Sequence, residues 1–547
     1  MVPHRTHEER QASLEARREQ DNNLLQHKIG YQPQLRRTFS TFETFGLAFA
    51  IMGLMPSISS TLVYGLPAGP AGLVWGWVIA LTFITIIAIS VGELASAMPT
   101  SGGLYFWTHF YAHPSIRNPL SFFVGYANTL GNLAGLISTE YGAAVMVSSV
   151  ISIGNDGAWS ATTPQLYGIT VAILVSHALI CSVGNRWLAK MQTLYVIGNV
   201  LMVIVTCIGL PLSLPSHRRN SAKWVFTHVE NLSSWPAGFT FILSFLVPVW
   251  TVNGFDSAVH ISEEATDAAK AVPRALLSVC ISCLVLGWCC IIAICFSMNP
   301  DVAAIYGTPL GQPMAQIYLD AFGKKSTLAI WSCMLVLQWT MGSSLVISAS
   351  RQVWAFSRDG ALPLSRYIKR VGRNQVPVFA VWTSAFLAGL MGLLVLINAA
   401  ASSALFSLLV AGCYTAYCVP VFSRLAWGNA KFAPGPFHTG VWSKPIAVTA
   451  ILFEVFMFLV FLFPVGGPDP SADEMNYASA IYGFVILITI VYWYLPVIGA
   501  KKWFTGPKTH HNPTQVAVEE ITAVTPSEQS LYHQPDSAKG FRYEGEV

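Results

Sequence analysis

Twelve apolar runs separated by short polar loops set the pattern of this chain. They fall at about 42–65, 72–97, 120–151, 166–184, 192–214, 238–262, 274–298, 326–350, 377–398, 401–423, 445–466 and 477–499. A helix of about 20 residues crosses the roughly 30 Å of hydrocarbon in a bilayer. None of the runs alternates like a barrel strand, and backbone amides in hydrocarbon must be satisfied within their own segment, so each run reads as a helix. The pattern predicts an all-α integral membrane protein of twelve spans. Residues 1–40 are charged and hold no signal-peptide core, so the first span itself directs insertion. Residues 501–547 are polar and rich in Pro, Ser, Glu and His. Both ends read as disordered tails around a membrane domain over 41–500.

Two of the runs are interrupted halfway. Span 1 reads ETFGLAFAIMGLMPSISSTLVYGL, with Gly53 and Pro56 at its centre. Pro56 removes a backbone donor and crowds the preceding turn. Gly53 frees the backbone at the same depth. Span 6 reads AGFTFILSFLVPVWTVNGFDSAVHIS, with Pro248, Asn253, Gly254, Phe255 and Asp256. Breaks at matched places five spans apart point to a solute site near the midplane of an inverted-repeat transporter. Irregular backbone survives at that depth only where it lines a cavity.

The chemistry of the breaks follows from their bared peptide groups. Carbonyls ending the first half of span 6 suit an ammonium, and amides opening a second half suit an anion. Asp256 fits the N-cap of the second half of span 6, ahead of Ser257-Ala258-Val259-His260. If Asp256 caps there, a solute carboxylate belongs at the second half of span 1, near Met55, Pro56 and Ser57. The alternative is that Asp256 itself meets the solute's amine, and Gly53, Leu54, Asn253, Gly254 and Phe255 are candidates for solute contact beside it.

Composition agrees with the membrane reading. Hydrophobic residues make up 53% and charged residues 11%, against about 25% charged in soluble proteins. The net charge of +4 is not gathered into a stripe, which argues against nucleic acid. Ten Cys lie mostly in apolar runs. The Cys280/Cys283 pair sits mid-helix with no helix N-terminus to activate a thiolate, so these read as small buried hydrophobes. With the N-terminus in the cytosol, inner loops carry 14 Lys and Arg, including Lys190, Arg351, Arg358, Arg366, Lys369, Arg370 and Arg373, and outer loops carry 5. This bias predicts that both termini are cytoplasmic. Asn231-Leu232-Ser233 is then an outer-loop glycosylation sequon close to span 6.

Three stretches carry a family likeness: GELASAMPTSGGLYFW (92–107), GFDSAVHISEEATDAAKAVPRAL (254–276) and AFSRDGALP (355–363). Together they resemble the amino acid/polyamine/organocation (APC) superfamily of permeases, in its amino acid/choline branch. Within it the chain looks most like fungal γ-aminobutyrate (GABA), polyamine and choline permeases. The likeness covers about 40–500. It implies the LeuT-like 5+5 inverted-repeat fold, with broken helices 1 and 6 and spans 11 and 12 added outside. It also implies secondary active transport, usually driven by protons. The chain departs from some bacterial relatives, which carry a buried Lys in span 5. Here Lys190 lies only at that span's cytoplasmic edge, so no coupling residue carries over.

Ionisable groups at bilayer depth cost about 2.5–3.5 kcal/mol on insertion scales, so each needs a reason. Glu140 in span 3 is a candidate for pairing a solute ammonium or carrying the coupling proton, or for a structural hydrogen bond. Glu93 ends span 2, to tie an inner loop or move protons. His260, Glu263 and Glu264 follow the break of span 6, as a solvated helix end or as a cytoplasmic gate. Arg358 and Asp359 either pair locally or join that gate. Gln338 and Ser344 in span 8 are candidates for solute contact, and Ser343 and Ser348 lie beside them. Gly131 and Gly135 form a GxxxG for close packing of span 3. Glu43 reads as interfacial, and no role is read for Glu454 in span 11.

The first function class is therefore a symporter importing a small amine-bearing solute. The solute would be an amino acid such as GABA, with polyamine or choline as alternatives and H+ as the coupling ion. A non-transporting nutrient receptor on the same fold is a second class, although tails of about 40 residues are short for it. The chain has no HExxH, GxSxG or Gly-rich phosphate loop, which argues against a membrane enzyme. No cofactor or metal ligand set is read. The partners are the bilayer and the solute. The plasma membrane is the expected location, with vacuole and Golgi as alternatives.

Overall fold

The computed structural model describes residues 7–183, 185–372, 374–471 and 475–509. Among the described residues, ten helical stretches are long and apolar enough to cross a membrane. The first, Thr41–Ala97, is divided by a turn at Leu66–Ala68 and supplies spans 1 and 2. The 17-residue helix Ala478–Tyr494 supplies span 12, which completes the twelve.

Spans 1 to 5 are Thr41–Met52 with Leu54–Gly65, then Gly69–Ala97, Arg117–Gly154, Thr163–Cys181 and Leu188–Ser213. Span 6 is three short helices, Ala237–Leu243, Leu246–Val252 and Ser257–His260. Spans 7 to 11 are Ala268–Ser297, Pro313–Arg358, Val378–Leu396, Ala400–Lys431 and Gly440–Val460. The two broken spans pack against each other. Span 7 packs on span 2, and span 10 on span 3. Spans 3 and 10 approach closely at facing glycines, since a Cβ on Gly412 would lie 2.6 Å from the Gly131 amide. Span 11 lies against spans 2 and 10, and span 12 against spans 3 and 10, outside the repeats.

Two sequence expectations are corrected. The basic loop was expected to begin at 351. Instead span 8 continues as helix to Arg358, after a kink at Gly323 near its start. Arg351 and Arg358 are buried because Glu264 and Glu263 meet their charges. Arg366, Lys369 and Arg370 stay exposed, and Arg373 lies outside the described residues.

The N-terminal segment was expected to be disordered, yet residues 7–40 are ordered. A helix, His7–Asn23, leads to a strap whose Leu25, Ile29, Tyr31, Leu35 and Phe39 are buried. The strap holds by backbone bonds that side-chain hydropathy does not register. Thr38 and Phe39 donate their amides to the Glu264 carbonyl, and Thr266 donates back to Phe39. Asp21 accepts the amides of Asp267 and Ala268 at the start of span 7. At the other end of the chain, Phe504 enters an aromatic cluster with Phe122 and Trp493, and the Lys508 amide donates to Asp359. Residues 510–547 of the C-terminal tail lie outside the described residues.

Candidate functional site

The break of span 1 is one residue wide. Gly53 takes φ 44° and ψ 58°, ending one helix and opening the next. Its amide still reaches Phe49, but Pro56 has no N–H for the Met52 carbonyl one turn back. The Ser57 hydroxyl donates to that carbonyl instead. The second half opens with the amides of Leu54 and Met55, and Gly53 before them has no side chain to cap them. Such a helix start attracts a carboxylate.

The break of span 6 is wider. Asn253 leaves the helix in extended geometry (φ −71°, ψ 146°), and Gly254 turns the chain at φ 88°. The last-turn carbonyls of Leu246–Val252 lose the continuing helix that would supply their donors. A Cβ on Gly254 would lie 3.4 Å from Ile51 Cγ2, which puts the two breaks side by side. Met341 of span 8 closes the third side, its sulfur 2.8 Å from where a Gly53 Cβ would be.

Asp256 stands at the N-cap position expected for it, but its side chain caps nothing. It is corrected here from a cap to a cross-link. Oδ1 accepts the Tyr417 hydroxyl of span 10 at 2.7 Å, and Oδ2 lies 3.0 Å from His260 Nε2. Tyr417 also lies 3.1 Å from Asn253 Oδ1 and packs on Phe255 at 4.9 Å between ring centroids. Tertiary partners on span 10 out-compete the local amides for this carboxylate.

The breaks are closed in on both sides. Toward the end away from the N-terminal strap, Phe406 of span 10 packs on Trp250 at 5.1 Å and on Tyr64 at 5.4 Å. Toward the strap lies a layer of ion pairs. Arg358 meets Glu263 through two bonds, 2.8 and 3.0 Å, and Arg351 meets Glu264 at 2.7 Å. Glu263 also accepts the Thr100 hydroxyl and the Ser101 amide from the loop after span 2. Asp359 accepts the hydroxyls of Tyr31 and Tyr105, and the Arg358 guanidinium lies 3.8 Å over the Tyr31 ring. Arg358 thus pairs with Glu263, while Asp359 accepts from two tyrosines.

Other expected residues have partners on neighbouring helices. Glu140 pairs with His177 of span 4, Oε1 to Nδ1 at 2.7 Å, both buried. Gly342 makes room for the pair, since a Cβ there would lie 2.7 Å from Glu140 Oε1. Gln338 donates to the Thr139 carbonyl, and Ser344 to Gln192 of span 5, so both tie helices together. Glu93 accepts from Arg424, Thr439 and Ser443, which holds the loop between spans 10 and 11. Glu454 is buried beside Cys418 and Tyr414. The Asn231 amide donates to the Trp235 carbonyl at 2.8 Å.

A family model described as amino acid permease matches residues 39–489. Over 503 residues the chain is 40% identical to the GABA-specific permease of Saccharomyces cerevisiae, covering 91% of this chain and 87% of that one. It is 40% identical over 518 residues to an uncharacterized amino-acid permease of Schizosaccharomyces pombe, covering 94% and 92%. This chain belongs to the amino acid permease family. Amino-acid permease 2 of Neurospora crassa is 31% identical over 486 residues, 88% of each chain. Among solved structures, a mutant of the Eremococcus coleocola manganese transporter matches with TM-score 0.51 at 14% identity, over 82% of this chain and 92% of that one. That last likeness is one of fold.

Three parts of the permease escaped sequence reasoning. Tyr417 and His177 are single polar residues in apolar runs, and an intramembrane ionisable group such as His177 was itself a signal. The strap's only signal was its spaced apolar residues Leu25, Ile29, Tyr31, Leu35 and Phe39, too sparse to read as a span. In the ion-pair layer, burial would raise Glu263, but the Arg358 guanidinium, the Ser101 amide and the Thr100 hydroxyl hold its carboxyl below the usual range. Burial pushes Asp359 up, against the pull of Arg358. Among the described residues no three His, Cys, Asp or Glu side chains gather as a metal site.

Proposed function

We propose that this permease imports a small zwitterionic amino acid of the GABA kind together with a proton, across the plasma membrane, with both termini in the cytosol. The observation that carries the reading is the side-by-side pair of broken spans, Gly53 against Met341 and Gly254 against Ile51. The solute carboxylate sits on the Leu54 and Met55 amides, and its ammonium lies against the last-turn carbonyls of Leu246–Val252. The 40% identity with a relative named GABA-specific permease supports this solute class. So does the state of the buried acids. A polyamine or choline would need an acidic partner, and Asp256 has both carboxylate oxygens taken by Tyr417 and His260, while Glu140 pairs with His177 through Oε1.

The strap and the ion-pair layer form the cytosolic gate, and Tyr64, Trp250 and Phe406 form the outer one. Asn231 is the outer-side glycosylation site. The test is uptake of labelled GABA, other amino acids, spermidine and choline in a permease-deficient yeast, at acid and neutral external pH. Saturable GABA uptake that a protonophore collapses supports the reading. Spermidine or choline uptake without GABA uptake overturns the solute class. Binding without accumulation points to a receptor.

A further inference from the structure

One imidazole joins the break of span 6 to the loop after span 2. His260 Nδ1 lies 3.1 Å from the Ser101 carbonyl, and Nε2 lies 3.0 Å from Asp256 Oδ2. A carbonyl oxygen only accepts, so Nδ1 carries a hydrogen. The contact between Nε2 and Oδ2 then needs a proton of its own. It forms either as an imidazolium donating to a carboxylate or as a carboxylic acid donating to a neutral imidazole. Both arrangements are neutral overall and hold the same number of protons. Without the shared proton, a nitrogen lone pair would face a carboxylate at a fully buried site, a costly state. The geometry of this closed state therefore requires a protonated pair.

We infer that the Asp256–His260 pair carries the coupling proton, and that this proton latches the chamber to the strap-side gate. The inference rests on the proton-coupled reading above. The latch is a continuous chain of contacts. Tyr417 and Asp256 hold the break of span 6, and His260 carries the bond on to the Ser101 carbonyl. The Ser101 amide then donates to Glu263, which holds Arg358. A proton arriving with the solute settles between Nε2 and Oδ2. When the strap side opens, the latch hydrogen bonds part, the N–H or O–H bond breaks and the proton passes to water, leaving a neutral imidazole and a carboxylate; no other covalent bond changes. Glu140 and His177 also share a close contact, between spans 3 and 4, and are the rival pair in the test below.

The titratable groups on the surrounding elements leave the pair its own proton. Span 10 brings Tyr417, which donates to Asp256, and Cys413 beside it. Span 8 brings Arg351 and Arg358, both ion-paired with glutamates. Span 1 brings Glu43, held at its own Ser40 cap, and span 7 brings the exposed Lys270 and Arg274.

The test uses the full chain in proteoliposomes with labelled GABA as the probe. It reads GABA exchange and GABA-driven proton uptake separately. His260→Gln keeps a hydrogen-bonding side chain but no titratable proton. It should retain measurable exchange while proton uptake per GABA is lost to the level of protein-free liposomes. Its exchange should also lose the pH dependence of the parent. Asp256→Asn, whose amide donates permanently to Nε2, should show the same split and serves if the first variant fails to fold. Parental proton uptake per GABA in either variant overturns the proposal. So does loss of proton uptake in Glu140→Gln with its retention in His260→Gln. GABA exchange without proton uptake in the unmodified permease overturns the proton-coupled reading itself, which is a separate outcome.

Discussion

Arg358 and Glu263 meet fork to fork, Nη1 to Oε2 at 2.8 Å and Nη2 to Oε1 at 3.0 Å, with both side chains buried. Removing one partner leaves the other charge buried and unpaired, at a cost of about 3–5 kcal/mol. Arg358→Met should therefore unfold at a clearly lower temperature in detergent than the double variant Arg358→Met/Glu263→Gln. Equal unfolding temperatures would show that the pair contributes nothing beyond its volume.

The same pair sets a pH dependence. The folded protein holds the Glu263 carboxyl below its ordinary value of 4.5. A depressed acid contributes stability that is present above the unfolded value and is lost as pH falls through the folded one. The stability difference between the parent and Glu263→Gln should be constant around neutral pH and shrink only below about 4.5, where the unfolded carboxylate begins to protonate. Thermal unfolding across that range checks it, and a difference that shrinks near pH 7 would contradict it.

Ser57 and Pro56 form a compensated unit. Pro56 withdraws a donor from the Met52 carbonyl and the Ser57 hydroxyl replaces it. Ser57→Ala should destabilise by about 1–3 kcal/mol, the cost of a buried polar group left without a partner. Pro56→Ala/Ser57→Ala should recover part of that, because residue 56 regains an N–H. The double variant should nonetheless transport poorly, since its span 1 approaches a continuous helix. Thermal unfolding and labelled-solute uptake on the same samples separate the two effects.

Gly53 is required for two independent reasons. Its φ of 44° costs a side-chain-bearing residue about 1–2 kcal/mol. An added Cβ would also lie 2.8 Å from the Met341 sulfur. Gly53→Ala should lose most uptake, and Gly53→Ala/Met341→Ala should recover only the part due to contact. Full recovery in the double variant would show that backbone geometry at the break is not needed.

The strap is testable apart from transport. Arg37 donates to the carbonyls of Ser262 and Ala265 at 3.1 and 2.6 Å. Arg37→Ala should expose residues 24–36 to limited proteolysis and speed amide exchange at Thr38 and Phe39. Unchanged protection at those two amides would mean that the strap is held by its backbone bonds alone.

Much of this was legible in the sequence because the deciding forces are local. Pro and Gly alone do not end a span, since Pro273 and Pro420 lie inside unbroken helices; the signal was Gly53 with Pro56 in span 1 matched by Asn253-Gly254 in span 6. The apolar runs had to be helices because lipid offers no other partner for the backbone. What escaped depends on the tertiary partner. Asp256 followed by Ser257 looks like a cap, and only Tyr417, 161 positions away, explains why it is not one. Arg351 looked like a loop cation until Glu264 was found beside it. The strap was missed because its apolar residues are few and its polar anchors are distant, the Glu264, Ser262 and Ala265 carbonyls and the Asp359 carboxylate.

The most direct measurement is a cryo-electron-microscopy map of the permease with GABA bound. Spans 1 and 6 should be interrupted at Gly53 and at Asn253–Asp256, with solute density between the Leu54 and Met55 amides and the end of Leu246–Val252. Either span seen as an unbroken helix, or solute density beside Glu140 and His177 with none at the breaks, would contradict it.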